Sequence, residues 1–100
     1  MRNVASARQG FAVLEEGSAV QTAVMILDPG EESGPYANEH PASEQVLLVV
    51  DGSLEAEVDG ERFAMGPGDS VVVPKNAPHR FVNTSEKRTL TFNVYAPKAY

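Results

Sequence analysis

Gly and Pro recur so evenly along this chain that almost no window long enough for a helix is left uninterrupted. Eight Gly and seven Pro share 100 residues, and each favours a turn or removes a backbone donor. Short apolar runs lie between them, the spacing of an all-β sandwich or barrel. Those runs predict strands over 11–15, 19–27, 36–40, 45–51, 53–58, 62–65, 70–73, 80–83 and 90–95. The length suits one domain spanning 1–100, with residues 1–10 as an N-terminal arm or extra strand.

One hairpin is legible residue by residue. Asp59-Gly60 is the preferred type I′ pair, because both turn positions need positive φ. Pairing then sets Val58 opposite Glu61, Glu57 opposite Arg62, Ala56 opposite Phe63 and Leu54 opposite Met65. Leu54, Ala56, Val58, Phe63 and Met65 share a dry face, and Glu55, Glu57 and Arg62 a wet one. Residues 46–50 and 71–73 are apolar on both faces, so both sides need cover. A second subunit in a homodimer supplies that cover in one reading, the chain's own N-terminal strands in the other.

Charge and cysteine narrow the function classes. A formal charge of −6 with no Lys/Arg cluster excludes a nucleic-acid binder and a basic membrane-surface binder. Without cysteine there is neither a disulfide framework nor a thiolate metal site. Any metal must use imidazole, carboxylate or amide ligands. The first ten residues lack an apolar leader core and no run approaches a spanning helix, so a cytoplasmic protein is expected.

Two blocks carry the chemistry. The first, 34–45, leads into the apolar strand and then Gly52; the second runs 68–83. These blocks resemble the two conserved-barrel motifs of the cupin superfamily. In the second, the family pattern is Gly, five residues, Pro-x-Gly, two residues, His, three residues, Asn; Gly68, Pro74, His79 and Asn83 fall on it. Asn76 replaces the second Gly, and Asn tolerates the left-handed conformation that such a turn needs. In the first, the pattern is His-x-His, three or four residues, Glu, six residues, Gly. Counting back from Gly52 sets Gln45 at the Glu position, with His40 as second His and Asn38 in place of the first. The three-residue spacing would use Glu39 and Pro41, a poorer chemical match.

The resemblance implies a cupin-type double-stranded β-helix, a jelly-roll barrel. It also implies a site for a divalent ion (iron, manganese, nickel or zinc) on His40, His79, Gln45 and Asn38. In a strand over 36–40, Asn38 and His40 would face the same way. Amide oxygens are weaker, uncharged donors, so a weaker or less selective site is expected. Glu44 is the candidate general base, with Glu39 as an alternative, should either enter the pocket. Phe81 and Tyr36 are candidate pocket walls, and Met25, Phe92 and Tyr95 further ones. Two function classes stay open. One is a metal-dependent oxygenase or isomerase acting on a small organic acid, polyketide-like ring or sugar. The other is a non-catalytic cupin that binds a small-molecule ligand over a degenerate or empty metal site.

Overall fold

The structure, a computed structural model, describes residues 1–6 and 9–100. Eight strands follow a short 3-10 turn at Val4–Ser6: β1 Gly10–Glu16, β2 Gln21–Leu27, β3 Glu44–Asp51, β4 Leu54–Val58, β5 Glu61–Met65, β6 Ser70–Val73, β7 His79–Val82 and β8 Thr89–Ala96. They form a five-stranded sheet in the order β1-β2-β8-β3-β6 and a three-stranded sheet in the order β5-β4-β7, with antiparallel pairings throughout. The chain is therefore all-β, as its punctuation predicts. No helix among the described residues is long and apolar enough to cross a membrane.

The core lies between the sheets. Met25, Leu27, Leu47 and Val49 of the larger sheet meet Leu54, Ala56, Val58, Met65 and Phe81 of the smaller one. The β4–β5 hairpin has the expected register, and Asp59 and Gly60 take φ of 48° and 86°. Asn76 adopts φ of 62°, the conformation expected where the family pattern has Gly. Gly52 is needed for space as well: a Cβ there would lie 2.6 Å from Oγ1 of Thr89 and 2.7 Å from the carbonyl oxygen of Arg88. Asn83 is buried and ties the β7–β8 connection, its Nδ2 donating to the carbonyls of Leu27 and Lys87 at 2.8 and 2.7 Å.

One expected strand is absent. Residues 36–40 form no strand; one isolated bridge, Ala37 to His79, is all that pairs there. Pro35 and Pro41 flank the segment without N–H groups for a ladder, and Gly34 turns the chain at φ 149°. The same-face argument for Asn38 and His40 therefore has no strand to act on. The strand expected over 11–15 is present as β1, and it extends the larger sheet by pairing with β2 at the edge.

Candidate functional site

Two turns and two strand ends bring the site together. His40 is set by the tight turn through Pro41, in which the Ser43 N–H donates to the His40 carbonyl at 3.0 Å. His79 opens β7 just after the Pro74–Asn76 turn and pairs with Val58. Both imidazoles are buried, with ring centroids 4.6 Å apart. Gln45, on the inward face of β3, completes the cluster.

A chain of hydrogen bonds fixes the proton on His40. The carbonyl of Met25 can only accept, so the Thr91 hydroxyl donates to it at 2.8 Å. Thr91 Oγ1 then accepts from Asn93 Nδ2 at 3.0 Å, and Asn93 Oδ1 accepts from Gln45 Nε2 at 2.8 Å. Gln45 Oε1 is left to accept from Nε2–H of His40 at 2.8 Å. The direction of the whole chain follows from its backbone end. His79 takes the opposite tautomer, donating from Nδ1 to the Ala77 carbonyl at 3.0 Å and leaving its Nε2 lone pair open. Burial is the main cause that lowers the His79 pKa; the Ala77 bond opposes it, the nearby His40 adds to it, and Glu39 opposes it.

Beside the cluster lies a cavity of about 230 Å³. Phe11, Met25 and Phe81 give it apolar walls, while Ser33, Glu39, Gln45 and His79 contribute the polar atoms. Tyr100 closes one side, its ring 4.7 Å from Phe11 and 5.1 Å from Tyr95, which in turn stands 5.2 Å from His40. Gln21, fully buried, holds that tail: its Oε1 accepts from the N–H groups of Ala99 and Tyr100 at 3.2 and 2.9 Å. Burial raises the pKa of both phenols. For Tyr95 the charge of Tyr100 is the next cause, and for Tyr100 that of Glu39. A second depression, about 170 Å³, lies over Glu57, Arg62 and Arg80 on the smaller sheet. Glu57 there meets Arg62 at 3.2 Å and Arg80 at 3.0 Å.

His40, His79 and Gln45 thus come together, and Phe81 is a cavity wall. Asn38 does not join them; it is exposed, and its Nδ2 donates to Asn76 Oδ1 at 3.3 Å. Tyr36 stands at the β4–β5 turn instead, its hydroxyl accepting from the Gly60 N–H at 2.8 Å. Glu44 is exposed on the outward face of β3, because strand alternation sends it opposite to Gln45. Glu39 is the carboxylate at the cavity. Phe92 points outward, since its neighbours Thr91 and Asn93 are the buried ones. Sequence reasoning missed Asn93, Thr91, Phe11, Ser33 and Tyr100. A signal existed on β8, where polar Thr89, Thr91 and Asn93 alternate with apolar Leu90, Phe92 and Val94.

A Cupin domain family model matches residues 23–95. The chain belongs to the cupin family. Among curated relatives, this cupin is 36% identical over 76 residues to "Polyketide synthase CurC" of Streptomyces cyaneus, an alignment covering 73% of this chain and 48% of that protein. It is 30% identical over 67 residues to "Quercetin 2,3-dioxygenase" of Bacillus subtilis, covering 67% of this chain and 20% of that one. The chain thus spans about half the length of the first and a fifth of the second. Its fold matches that of KdgF from Halomonas sp. with a TM-score of 0.79 and 25% identity, over 88% of this chain and 77% of that one.

Cupins often hold a divalent metal ion. No three His, Cys, Asp or Glu side chains group to hold an ion among the described residues. Three neutral donors do lie close by: His40 Nε2 is 2.8 Å from Gln45 Oε1, and the His79 ring stands 4.6 Å from that of His40. Imidazoles bound cis to one ion at about 2.1 Å bring their ring centroids to roughly 4.5–5 Å, which the 4.6 Å spacing meets. Each Nδ1 also faces a backbone carbonyl, Ser43 at 3.3 Å and Ala77 at 3.0 Å, the outer contact that orients Nε2 towards a metal. The residues fit a divalent ion held by two imidazoles and one amide oxygen.

Proposed function

We propose that this cupin binds a small organic molecule in the cavity beside His79, with a divalent ion held by His40, His79 and Gln45. The observation that carries the reading is the grouping of two buried imidazoles, ring centroids 4.6 Å apart, with Gln45 Oε1 against His40 and a backbone carbonyl at each Nδ1. Such an ion, when bound, polarises a carbonyl or enolate oxygen of the ligand. The protein's own residues do the rest. Phe11 and Phe81 offer apolar faces to a planar ligand, and Tyr100, its phenol kept protonated by burial, offers a hydroxyl donor. Glu39 stands at the cavity as a carboxylate able to take a proton from the ligand. An oxygen-bearing ring is the substrate class that these walls support. The names of the polyketide synthase and quercetin dioxygenase relatives agree with it.

A second reading is a cupin that binds its ligand without a metal. One observation favours it: His40 Nε2 and Gln45 Oε1, two of the three donors, already bond to each other at 2.8 Å. Calorimetric titration of the purified chain with zinc, manganese, nickel and ferrous iron separates the two. Saturable one-to-one uptake, abolished by His79→Ala, is the expected result. Absence of uptake for all four ions, with ligand binding retained, establishes the second reading instead.

A further inference from the structure

The cavity beside His79 does not end at Phe11. A second hollow of about 150 Å³ adjoins it, and the two share Phe11, Met25 and Ser33 as walls. Ser33 is held firmly at this junction. Its N–H donates to the Phe81 carbonyl at 2.8 Å, and its Oγ accepts from the Phe81 N–H at 2.9 Å. The Ser33 hydroxyl thus keeps its own proton for a ligand. Alone, the cavity of about 230 Å³ is smaller than the roughly 300–1,000 Å³ of most small-molecule sites; with the second hollow it enters that range.

The second hollow has a chemistry of its own. Ile26 and Leu27 add apolar wall, and Glu31 and Glu32 add two carboxylates. Both Glu side chains are exposed, but their backbone is strapped to Asn83. The Gly30 N–H donates to the Asn83 carbonyl at 2.8 Å, and the Asn83 N–H donates to the Glu31 carbonyl at 2.9 Å. Arg80 comes no nearer to Glu32 than 4.0 Å, while it bonds Glu57 at 3.0 Å. Among the described residues no lysine or arginine lines either hollow, whereas Glu39 adds a third carboxylate in the first.

We propose that the second hollow is a subsite for the arm of an elongated ligand. A hydroxylated ring sits beside His79, and a short alkyl arm ending in an ammonium group passes Phe11 towards Glu31 and Glu32. This inference rests on the reading that a ring binds beside His79, and it adds the arm and the sign of its charge. Met25, Ile26 and Leu27 flank the alkyl stem, and the carboxylates accept from the ammonium. An arm of the same length ending in a carboxylate meets like charges in both hollows and is disfavoured.

Four probes with one ring test the arm: phenol, 4-ethylphenol, 2-(4-hydroxyphenyl)ethylamine and 4-hydroxyphenylacetate. Each is titrated calorimetrically into the full chain, with and without equimolar zinc. The amine should bind about fivefold more tightly than 4-ethylphenol, the scale of an exposed ion pair, and the acetate more weakly. That advantage should shrink in about 0.5 M salt and vanish when Glu31→Gln and Glu32→Gln are combined. The amide at 31 still accepts from the Asp28 N–H, so the loop is retained. Gly10→Asn is an independent variant. Gly10 walls the second hollow and not the first, a Cβ there meets no atom within 4 Å, and Asn tolerates its φ of 70°. It should remove the amine's advantage and leave phenol unaffected. An amine that binds no more tightly than 4-ethylphenol overturns the inference and leaves the ring reading standing. An advantage that survives the paired glutamine substitutions does the same. Failure of all four probes to bind, with zinc or without, overturns both.

Discussion

His40 Nε2 donates to Gln45 Oε1 across 2.8 Å, while the Nδ1 of the same ring faces the Ser43 carbonyl at 3.3 Å. The ring therefore has an acceptor ready for either tautomer. Binding of an ion at Nε2 requires the proton to pass to Nδ1, where Ser43 receives it. Long-range proton–nitrogen spectra of the imidazole should show His40 protonated at Nε2 in the apo chain and at Nδ1 with zinc added. His79, already protonated at Nδ1, should keep its tautomer. Unchanged His40 nitrogen shifts at saturating zinc would count against this site.

Gln45→Glu introduces the negative charge that the donor set lacks. It should raise affinity for zinc or manganese by about tenfold or more, since a carboxylate binds a divalent ion better than an amide does. Competition with a metal-sensitive dye measures the change. Equal affinity in the two chains would show that position 45 is not a ligand.

Asn93 is fully buried and joins Gln45 to Thr91. Asn93→Leu leaves the Gln45 amide and the Thr91 oxygen without their partner, at a cost of about 1–3 kcal/mol for each group stranded in the interior. Urea unfolding should show a lower midpoint with little change in slope. Thr91→Val, which loses both the bond to the Met25 carbonyl and the one from Asn93 Nδ2, should destabilise by a similar amount.

The pKa of His79 is lowered on folding from 6.5, chiefly by burial. Below pH 6.5 the unfolded chain takes up this proton before the folded chain does, so stability is present above that value and declines as the pH drops. The loss is complete only below the folded pKa. The difference in urea midpoint between pH 7.5 and 5.5 should shrink in His79→Gln, in apo protein throughout. A difference that the substitution leaves unchanged would assign the decline to carboxylates instead.

Gln21 clamps the tail that brings Tyr100 to the cavity. Gln21→Ala should free that tail and let the Tyr100 phenol titrate closer to its ordinary 10.0. With three Tyr and no Trp in the chain, ultraviolet absorbance during an alkaline titration reads this directly. An identical titration curve would mean that the ring contacts alone hold Tyr100 in place.

Most of the strand layout was legible because it is locally encoded. Asp59-Gly60 dictates its hairpin, and Gly68, Pro74 and Asn76 fix the turns that deliver His79. The stretch around His40 was not legible, because Pro35 and Pro41 forbid the ladder that an alternation argument assumes. Glu44 was excludable in principle: once Gln45 faces inward, its neighbour on the strand faces out. Asn93 and Thr91 were invisible for a different reason. They meet Gln45 and Met25 only through the pairing of β8 with β3 and β2, contacts far apart in sequence that no motif spacing encodes.

Phe11 and Tyr100 lie outside the stretch matched by the family model, whereas His40, Gln45, His79 and Asn93 lie within it. The stretch common to the family thus supplies the histidines and their hydrogen-bonded neighbours, and the two flanking segments, one an edge strand and one a strapped tail, supply walls of the cavity. Exchanging those flanks for sequences of different bulk would reshape the cavity without disturbing a hydrogen bond of the relay beneath it.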